Sequence, residues 1–222
     1  MEEHIVRILN IKQVTHDVKR FQVAKPDGYS FEPGQATEVS VNSPEMRNRK
    51  QPFTFTCLTS APYLEFTIKI YPERKGVTAS LDRLNPGDEL ILRDVWGAIH
   101  YSGPGVFVAG GAGITPFLSI LRDLDDKGKI SGNRLIFANK TRADIIYEDY
   151  FRNLLGNDFI TILSREKAEG YAYGHVNGEF LVENIPDFSK QFYVCGPDAM
   201  IKSVVGLLGE LGIVQKSITI EL

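Results

Sequence analysis

The sequence predicts a two-domain protein: an N-terminal antiparallel β-barrel of Greek-key type over residues 1–102, then a C-terminal α/β domain with a doubly wound parallel sheet over 103–222. Three observations lead there. Up to about residue 100 apolar residues recur mostly with the period of two that a half-buried strand requires. From about Gly103, short apolar runs alternate with stretches of helical period, as in parallel strands joined by crossover helices. Between the two regimes lies Ser102-Gly103-Pro104, a turn-forming hinge.

In the first half, strands are expected at 5–14, 18–23, 36–41, 53–58 and 89–95, with a further one centred on Leu64, Phe66, Ile68 and Ile70. Those four alternate with Glu65, Thr67, Lys69 and Tyr71, which makes one face apolar and leaves the other polar. Pro33-Gly34 and Pro86-Gly87 mark turns. Several short strands so punctuated suggest a closed antiparallel barrel, with a sandwich as the alternative. In the second half, 105–109, 134–138, 159–163, 191–195 and 217–221 read as buried parallel strands. Ile114, Phe117, Leu118, Leu121 and Leu124 form one helical stripe, with Pro116 in its first turn and Gly128 near its end. Met200, Ile201, Val204, Leu208 and Leu211 form another, stopped by Gly212.

Composition narrows the functional classes. The chain has 222 residues, 43% hydrophobic and 24% charged, and its 25 Lys+Arg against 28 Asp+Glu leave a net charge of -3. This is an ordinary globular balance without the basic footprint of a nucleic-acid binder. Cys57 and Cys195 are too few for a disulfide framework, an iron–sulfur cluster or a structural zinc site. His4, His16, His100 and His175 never fall at ligand spacing, so no metal is expected. Acidic Glu2-Glu3 with no following apolar core argues against a secretory signal, and no stretch approaches the roughly 20 apolar residues of a membrane span. A cytoplasmic monomer is expected.

The richest chemistry lies in Gly110-Gly111-Ala112-Gly113-Ile114-Thr115-Pro116. A buried strand enters a glycine-rich turn and then a helix, so backbone N–H groups and the helix dipole face a common point, a seat for a diphosphate. Pro116 replaces the third glycine of the usual dinucleotide fingerprint. Where that fingerprint places an acidic ribose reader, the second strand here ends in Asn139-Lys140-Thr141-Arg142 and the third in Ser164-Arg165, cations suited to a 2′-phosphate. Cys195 ends a strand ahead of Gly196-Pro197, where an open parallel sheet binds ligands, although a small buried hydrophobe is the plainer reading of such a residue. Cys57 reads as packing. In the first half, Phe31-Glu32-Pro33-Gly34-Gln35, Gln51-Pro52-Phe53-Thr54 and Arg74-Lys75-Gly76-Val77-Thr78-Ala79-Ser80 stand out, the last combining cations, glycine and hydroxyls that suit a phosphate.

Taken together and in this order, these segments resemble the ferredoxin–NADP reductase family over nearly the whole chain. The resemblance implies an FAD-binding barrel, an NAD(P)-binding α/β domain, and hydride transfer from nicotinamide to flavin followed by single-electron release. It implies that Phe53 stacks on the flavin and that the Thr54 hydroxyl lies near the flavin N5, beside Gln51 and Pro52. It assigns Lys75, Gly76, Val77, Thr78 and Ser80 to the flavin diphosphate, and Gly111, Gly113, Ile114 and Thr115 to the nucleotide loop. Cys195, Gly196 and Pro197 would border the nicotinamide, and Lys140, Ser164 and Arg165 would read the 2′-phosphate. Thr54 and Cys195 are the implied catalytic pair; FAD and NADPH, with NADH as the alternative, are the implied cofactors.

The sequence departs from the family pattern in three places. Gln51 stands where members commonly carry the arginine that grips the FAD diphosphate, leaving Arg49 or Arg74 as substitutes. Leu222 stands where plant-type members end in an aromatic, and Ile201 where they place a catalytic glutamate. The resemblance implies a small carrier such as flavodoxin or ferredoxin, or an oxygenase component, as acceptor. Arg47, Arg49, Lys50, Arg74 and Lys75 point to an acidic one. A free flavin reductase and a non-catalytic nucleotide-sensing module are the alternatives.

Overall fold

The computed structural model describes every residue except Met1, Ala98 and Leu222. Leu222, the position of the plant-type terminal aromatic, therefore lies outside the described residues. The first sheet contains β1 (His4–Thr15), β2 (Val18–Ala24), β3 (Ala36–Val41), β4 (Gln51–Thr54), β5 (Tyr63–Lys69) and β6 (Glu89–Trp96), in the order β4-β3-β6-β1-β2-β5. All its pairings are antiparallel. The last strand returns to lie between β3 and β1, the crossing that defines a Greek key. A bridge between Phe55 and Phe66 brings the chain beyond β4 onto β5, joining the two ends of the sheet and closing the barrel. Phe21, Phe55, Phe66, Leu64, Ile68 and Leu90 fill it. A short helix, α1 (Val77–Leu81), lies in the β5–β6 connection.

The second sheet contains β7 (Gly105–Gly110), β8 (Arg134–Asn139), β9 (Phe159–Leu163), β10 (Ala172–Tyr173), β11 (Gln191–Cys195) and β12 (Ile218–Glu221), ordered β10-β9-β8-β7-β11-β12. Every neighbouring pair is parallel. The winding reverses between β7 and β11, so a crevice opens beyond their carboxyl ends. On one face, Phe107, Leu135, Phe137 and Tyr193 are buried with Phe117, Leu121 and Phe151 of α2 (Thr115–Asp126) and α3 (Glu148–Leu155). On the other, Val106, Val108, Ile136 and Val194 are buried with residues of α4 (Gly178–Asn184) and α5 (Asp198–Glu210).

Two expectations need correction. The strand expected at 53–58 ends its ladder at Thr54, with only the single bridge of Phe55 beyond, and Cys57 is buried outside any strand. There the Thr56 N–H has turned to the Glu65 carbonyl at 2.8 Å, which closes the barrel instead of extending β4. The polar face of β5 is also buried. Glu65 and Thr67 are 3% and 5% exposed, and Arg122 of α2 in the other half reaches Glu65. Among the described residues no helix is long and apolar enough to cross a membrane.

Candidate active site

A crevice of about 850 Å³ opens between barrel and sheet. Its floor comes from the glycine turn after β7. Gly113 leaves no room for a side chain without a backbone shift, since a Cβ would lie 2.4 Å from the Cys195 carbonyl oxygen, so this turn and the one after β11 touch backbone to backbone. Gly111 is different. Its φ of +52° favours glycine, and nothing lies within 4 Å of where its Cβ would be, which leaves its face open to a ligand. A 3-10 turn (Gly111–Ile114) leads into α2, with the Thr115 hydroxyl donating to the Ala112 carbonyl at 3.1 Å. Ile114 is fully buried and anchors the turn from beneath. The Thr115 N–H donates to the Ala112 carbonyl and Pro116 has no N–H, so the amides that can meet an anion are those of the 3-10 turn itself, which starts at Gly110 without a side-chain cap or an acidic residue.

The carboxyl ends of β8 and β9 form the next wall. The Ser164 N–H donates to the Asn139 carbonyl at 3.0 Å and the Arg165 N–H to the Lys140 carbonyl at 2.9 Å, holding the two strand ends together. Asn139, Lys140 and Ser164 line the crevice. Asn139 is 7% exposed, and neither polar atom of its side chain has a protein partner, the condition of a group that awaits water or ligand. Arg165 is exposed and outside the lining, and Arg142 lies 3.7 Å from Glu148 and over the Tyr171 ring. The basic signal therefore narrows to Lys140.

Thr54, at the end of β4, reaches the crevice from the barrel together with Lys69 and Tyr71. Across from them stand Cys195, Gly196 and Pro197. Gln51 and Phe53 are half-buried and Pro52 is exposed, with Phe53 against the barrel core. Lys75 is exposed, Gly76 is the residue before α1, Val77 and Thr78 are buried, and the half-buried Ser80 hydroxyl turns back to the Gly76 carbonyl at 3.3 Å. This 75–80 segment lies outside the crevice lining. Arg49 Nη1 donates to the Lys75 carbonyl at 3.1 Å, so the arginine two residues before Gln51 is beside the segment that the resemblance assigns to the flavin diphosphate. Ile201 is buried in the core of the second half.

Neither cysteine is in a disulfide. Burial pushes the Cys57 thiol up to about 11, whereas Cys195 is half-buried in the crevice wall. Sequence reasoning missed Lys69, Tyr71, Asp144 and His175, which also line the crevice. For Asp144 a signal existed. Thr141 and Asp144 have capping-box spacing, and Asp144 accepts from the Thr141 N–H at 2.9 Å and from its hydroxyl at 2.6 Å. Burial raises the Asp144 pKa, but these bonds and the charges of Lys69 and His16 outweigh it and hold the carboxyl below its ordinary value. His16, Asp17 and Asp144 come close enough to ligate a metal. Lys69 Nζ, 2.7 Å from Asp17 and 3.8 Å from Asp144, already supplies a cation there.

Residues 107–206 match the family model of the oxidoreductase NAD-binding domain. The chain is 29% identical over 220 residues to the reductase component of propane 2-monooxygenase from Rhodococcus jostii strain RHA1, covering 91% of this chain and 58% of that protein. It is 27% identical over 229 residues to NADH-cytochrome b5 reductase 2 of Mycosarcoma maydis, covering 91% and 64%. The chain thus spans about three fifths of the length of these curated relatives. Among solved structures, a ferredoxin NADP+ reductase from Neisseria gonorrhoeae with bound FAD and NADP superposes with a TM-score of 0.86 at 21% identity, covering 100% of this chain and 98% of that one. The flavohem-like FAD/NAD-binding domain of a Vibrio cholerae nitric oxide dioxygenase superposes with a TM-score of 0.87 at 20% identity, covering 98% and 97%. The chain has the two-domain ferredoxin reductase-like fold, and its second half matches the oxidoreductase NAD-binding domain.

Proposed function

We propose that this chain is an NAD(P)H-dependent flavoprotein reductase that takes a hydride from the nicotinamide and delivers electrons to a protein acceptor. One observation carries the reading. Thr54 of the barrel and the Gly111–Ile114 turn with Cys195 of the sheet face one crevice, large enough for a dinucleotide. The residues present fit both cofactors: the open face of Gly111, the uncapped Gly111–Ile114 turn and the unpartnered amide of Asn139 suit a nucleotide, and Arg49 beside the Gly76–Ser80 segment suits a second diphosphate. When bound, FAD supplies the conversion of a hydride into single electrons.

The chain's own residues bind and orient. Amides of the Gly111–Ile114 turn hold the nucleotide phosphates, and Lys140 reads a 2′-phosphate. The Thr54 hydroxyl donates to the flavin edge, and Cys195 shapes the nicotinamide seat without acting as a nucleophile. Arg49, already on the Lys75 carbonyl, serves the flavin diphosphate in place of the arginine that Gln51 replaces.

The acceptor we propose is an oxygenase component or its small electron carrier, a reading supported by similarity to reductase components of propane 2-monooxygenase and glycine betaine monooxygenase. Of the five cations near the flavin segments, Arg47 pairs with Glu3 at 3.4 Å and Lys50 with Glu38 at 3.3 Å. The attraction for an acidic carrier therefore falls mainly on Arg74 and Lys75. The test is FAD titration by calorimetry, followed by NADPH-driven reduction of ferredoxin and flavodoxin across an ionic-strength series. One FAD per chain and salt-sensitive carrier reduction are expected. Faster reduction of dissolved flavin than of either carrier would make this a free flavin reductase. Failure to oxidise NAD(P)H with any acceptor would leave a nucleotide-sensing module.

A further inference from the structure

The second face of β5 holds a carboxylate that the crevice itself does not use. Glu65 is 3% exposed and lies between two guanidinium groups, with Arg122 Nη1 at 2.8 Å and Arg20 Nε at 3.7 Å. The Thr56 hydroxyl donates to it at 3.0 Å and the Gln22 amide at 3.2 Å. A buried carboxylate is tolerable only with such compensation, and removing one partner leaves the other charge stranded.

Arg122 belongs to the opposite half. It lies on α2, whose first residues line the crevice. Seven residues of helix, about 10 Å, separate it from Thr115. Besides Glu65, its Nη1 donates to the Thr56 carbonyl, two residues beyond the crevice-lining Thr54. Its guanidinium also covers the rings of Tyr147 and Tyr150, 5.4 and 5.6 Å from their centroids. Tyr147 is the only non-glycine residue with positive φ among those described, at +55°, a conformation that persists only where the surroundings enforce it. One guanidinium thus ties the strand end that presents Thr54 to the helix that begins at the nucleotide turn.

We infer that Arg122, acting through Glu65 and Thr56, is a positioning residue that fixes the separation of the two crevice walls, the Thr54 segment and the Gly111–Ile114 turn. The inference rests on the reductase reading only in that this separation governs hydride transfer. Reacting atoms must approach to about 3–3.5 Å, and a displacement of about 1 Å costs about a hundredfold in rate. A side chain that merely glues the interface would affect stability and rate together. A positioning residue lets them be separated.

The experiment compares the parent with Arg122→Met and with Arg122→Met/Glu65→Gln, in which no buried carboxylate is left without Arg122, while Arg20, the other partner of Glu65, keeps a quarter of its side chain in solvent. Three quantities are read: thermal midpoint, limiting rate of flavin reduction by NADPH, and the distance between spin labels at Ser60→Cys and Lys202→Cys in a Cys195→Ser background. The expected result is that Arg122→Met loses stability, reduces flavin at least about tenfold more slowly, and broadens the distance distribution. Affinity for NADP+ should be unchanged, because the nucleotide contacts lie within one half. The double variant regains the midpoint yet keeps the slow rate and the broad distances. If it regains all three, or if Arg122→Met leaves rate and distances at parental values, the inference is overturned. Should Arg122→Met not fold, Arg122→Lys carries the same test, since it keeps the charge and loses the planar contact with the two tyrosine rings. If the parent itself reduces no flavin, the reductase reading falls, and the distance distributions alone decide whether Arg122 fixes the walls.

Discussion

Replacing Gly113 by alanine forces a methyl group into the contact between the turns after β7 and β11. Its Cβ would lie 2.4 Å from the Cys195 oxygen and 2.6 Å from the Gly196 Cα. Both neighbours are backbone, so neither can swing aside as a side chain would. Overpacking costs about 1–3 kcal/mol, occasionally more, and an unyielding neighbour argues for the upper end. In a chain of this size each kcal/mol lowers the melting temperature by about 2–4 °C, so Gly113→Ala should melt roughly 6–12 °C lower. Gly111→Ala is its counterpart. A Cβ there meets nothing within 4 Å, so the cost is that of a left-handed residue, about 1–2 kcal/mol. That variant should stay folded and lose nucleotide affinity, because the methyl group occupies the face offered to the phosphates. Calorimetric melts and NADP+ titrations of both proteins test the pair. A Gly113→Ala protein that melts with the parent would show that the two turns are not in contact, and a Gly111→Ala protein with parental affinity would remove the turn from the nucleotide site.

Lys140→Ala should lower the NADPH-to-NADH ratio of kcat/KM by at least about tenfold, the lower end of what a charge-assisted hydrogen bond of about 1.5–3 kcal/mol is worth. Arg165→Ala should do far less, since its side chain is exposed and screened. At mildly alkaline pH a thiol reagent should label Cys195 and spare Cys57, whose thiol is buried and titrates at about 11, and NADP+ should protect Cys195. Cys195→Ser should keep its FAD while slowing flavin reduction in stopped flow, and an unaltered rate would return that cysteine to a packing role. Asp144 has a lowered pKa when folded, so its contribution to stability is complete above the ordinary aspartate value of about 3.9 and disappears as pH falls through the folded value. The difference in melting temperature between parent and Asp144→Asn should therefore be present at neutral pH and shrink in acid. A gap that does not change with pH would contradict the assignment.

The fold was legible because its two periodicities are strong and occupy separate stretches of the chain. β3, β9 and β11 coincide with the apolar runs at 36–41, 159–163 and 191–195. Short elements escaped for want of signal: α3 buries only Phe151, so no stripe marks it, and β10 has two residues. The glycine turn after β7 was legible as a feature of the crevice because glycines close to a strand end carry a geometric message. The alternation of β5 misled for an instructive reason. Glu65 and Thr67 look like a solvated face to any local pattern, and only the docking of α2 and Tyr147 from the other half buries them. The same non-locality hid Lys69 and Tyr71, which reach the crevice only once the halves are assembled. It also made Arg142 look available until Glu148 and Tyr171 surrounded it.

In the reductase proposed above, the two halves meet so that a hydride passes from nicotinamide to flavin across the crevice between Thr54 and Cys195. Anaerobic stopped-flow mixing of the FAD-loaded protein with NADPH, and with NADPH carrying deuterium at the transferred position, tests it most directly. The expected result is complete bleaching of the flavin band in a single turnover, slowed by a primary isotope effect and slowed further in Cys195→Ser. A flavin that binds and stays oxidised in the presence of saturating NADPH and NADH would contradict it.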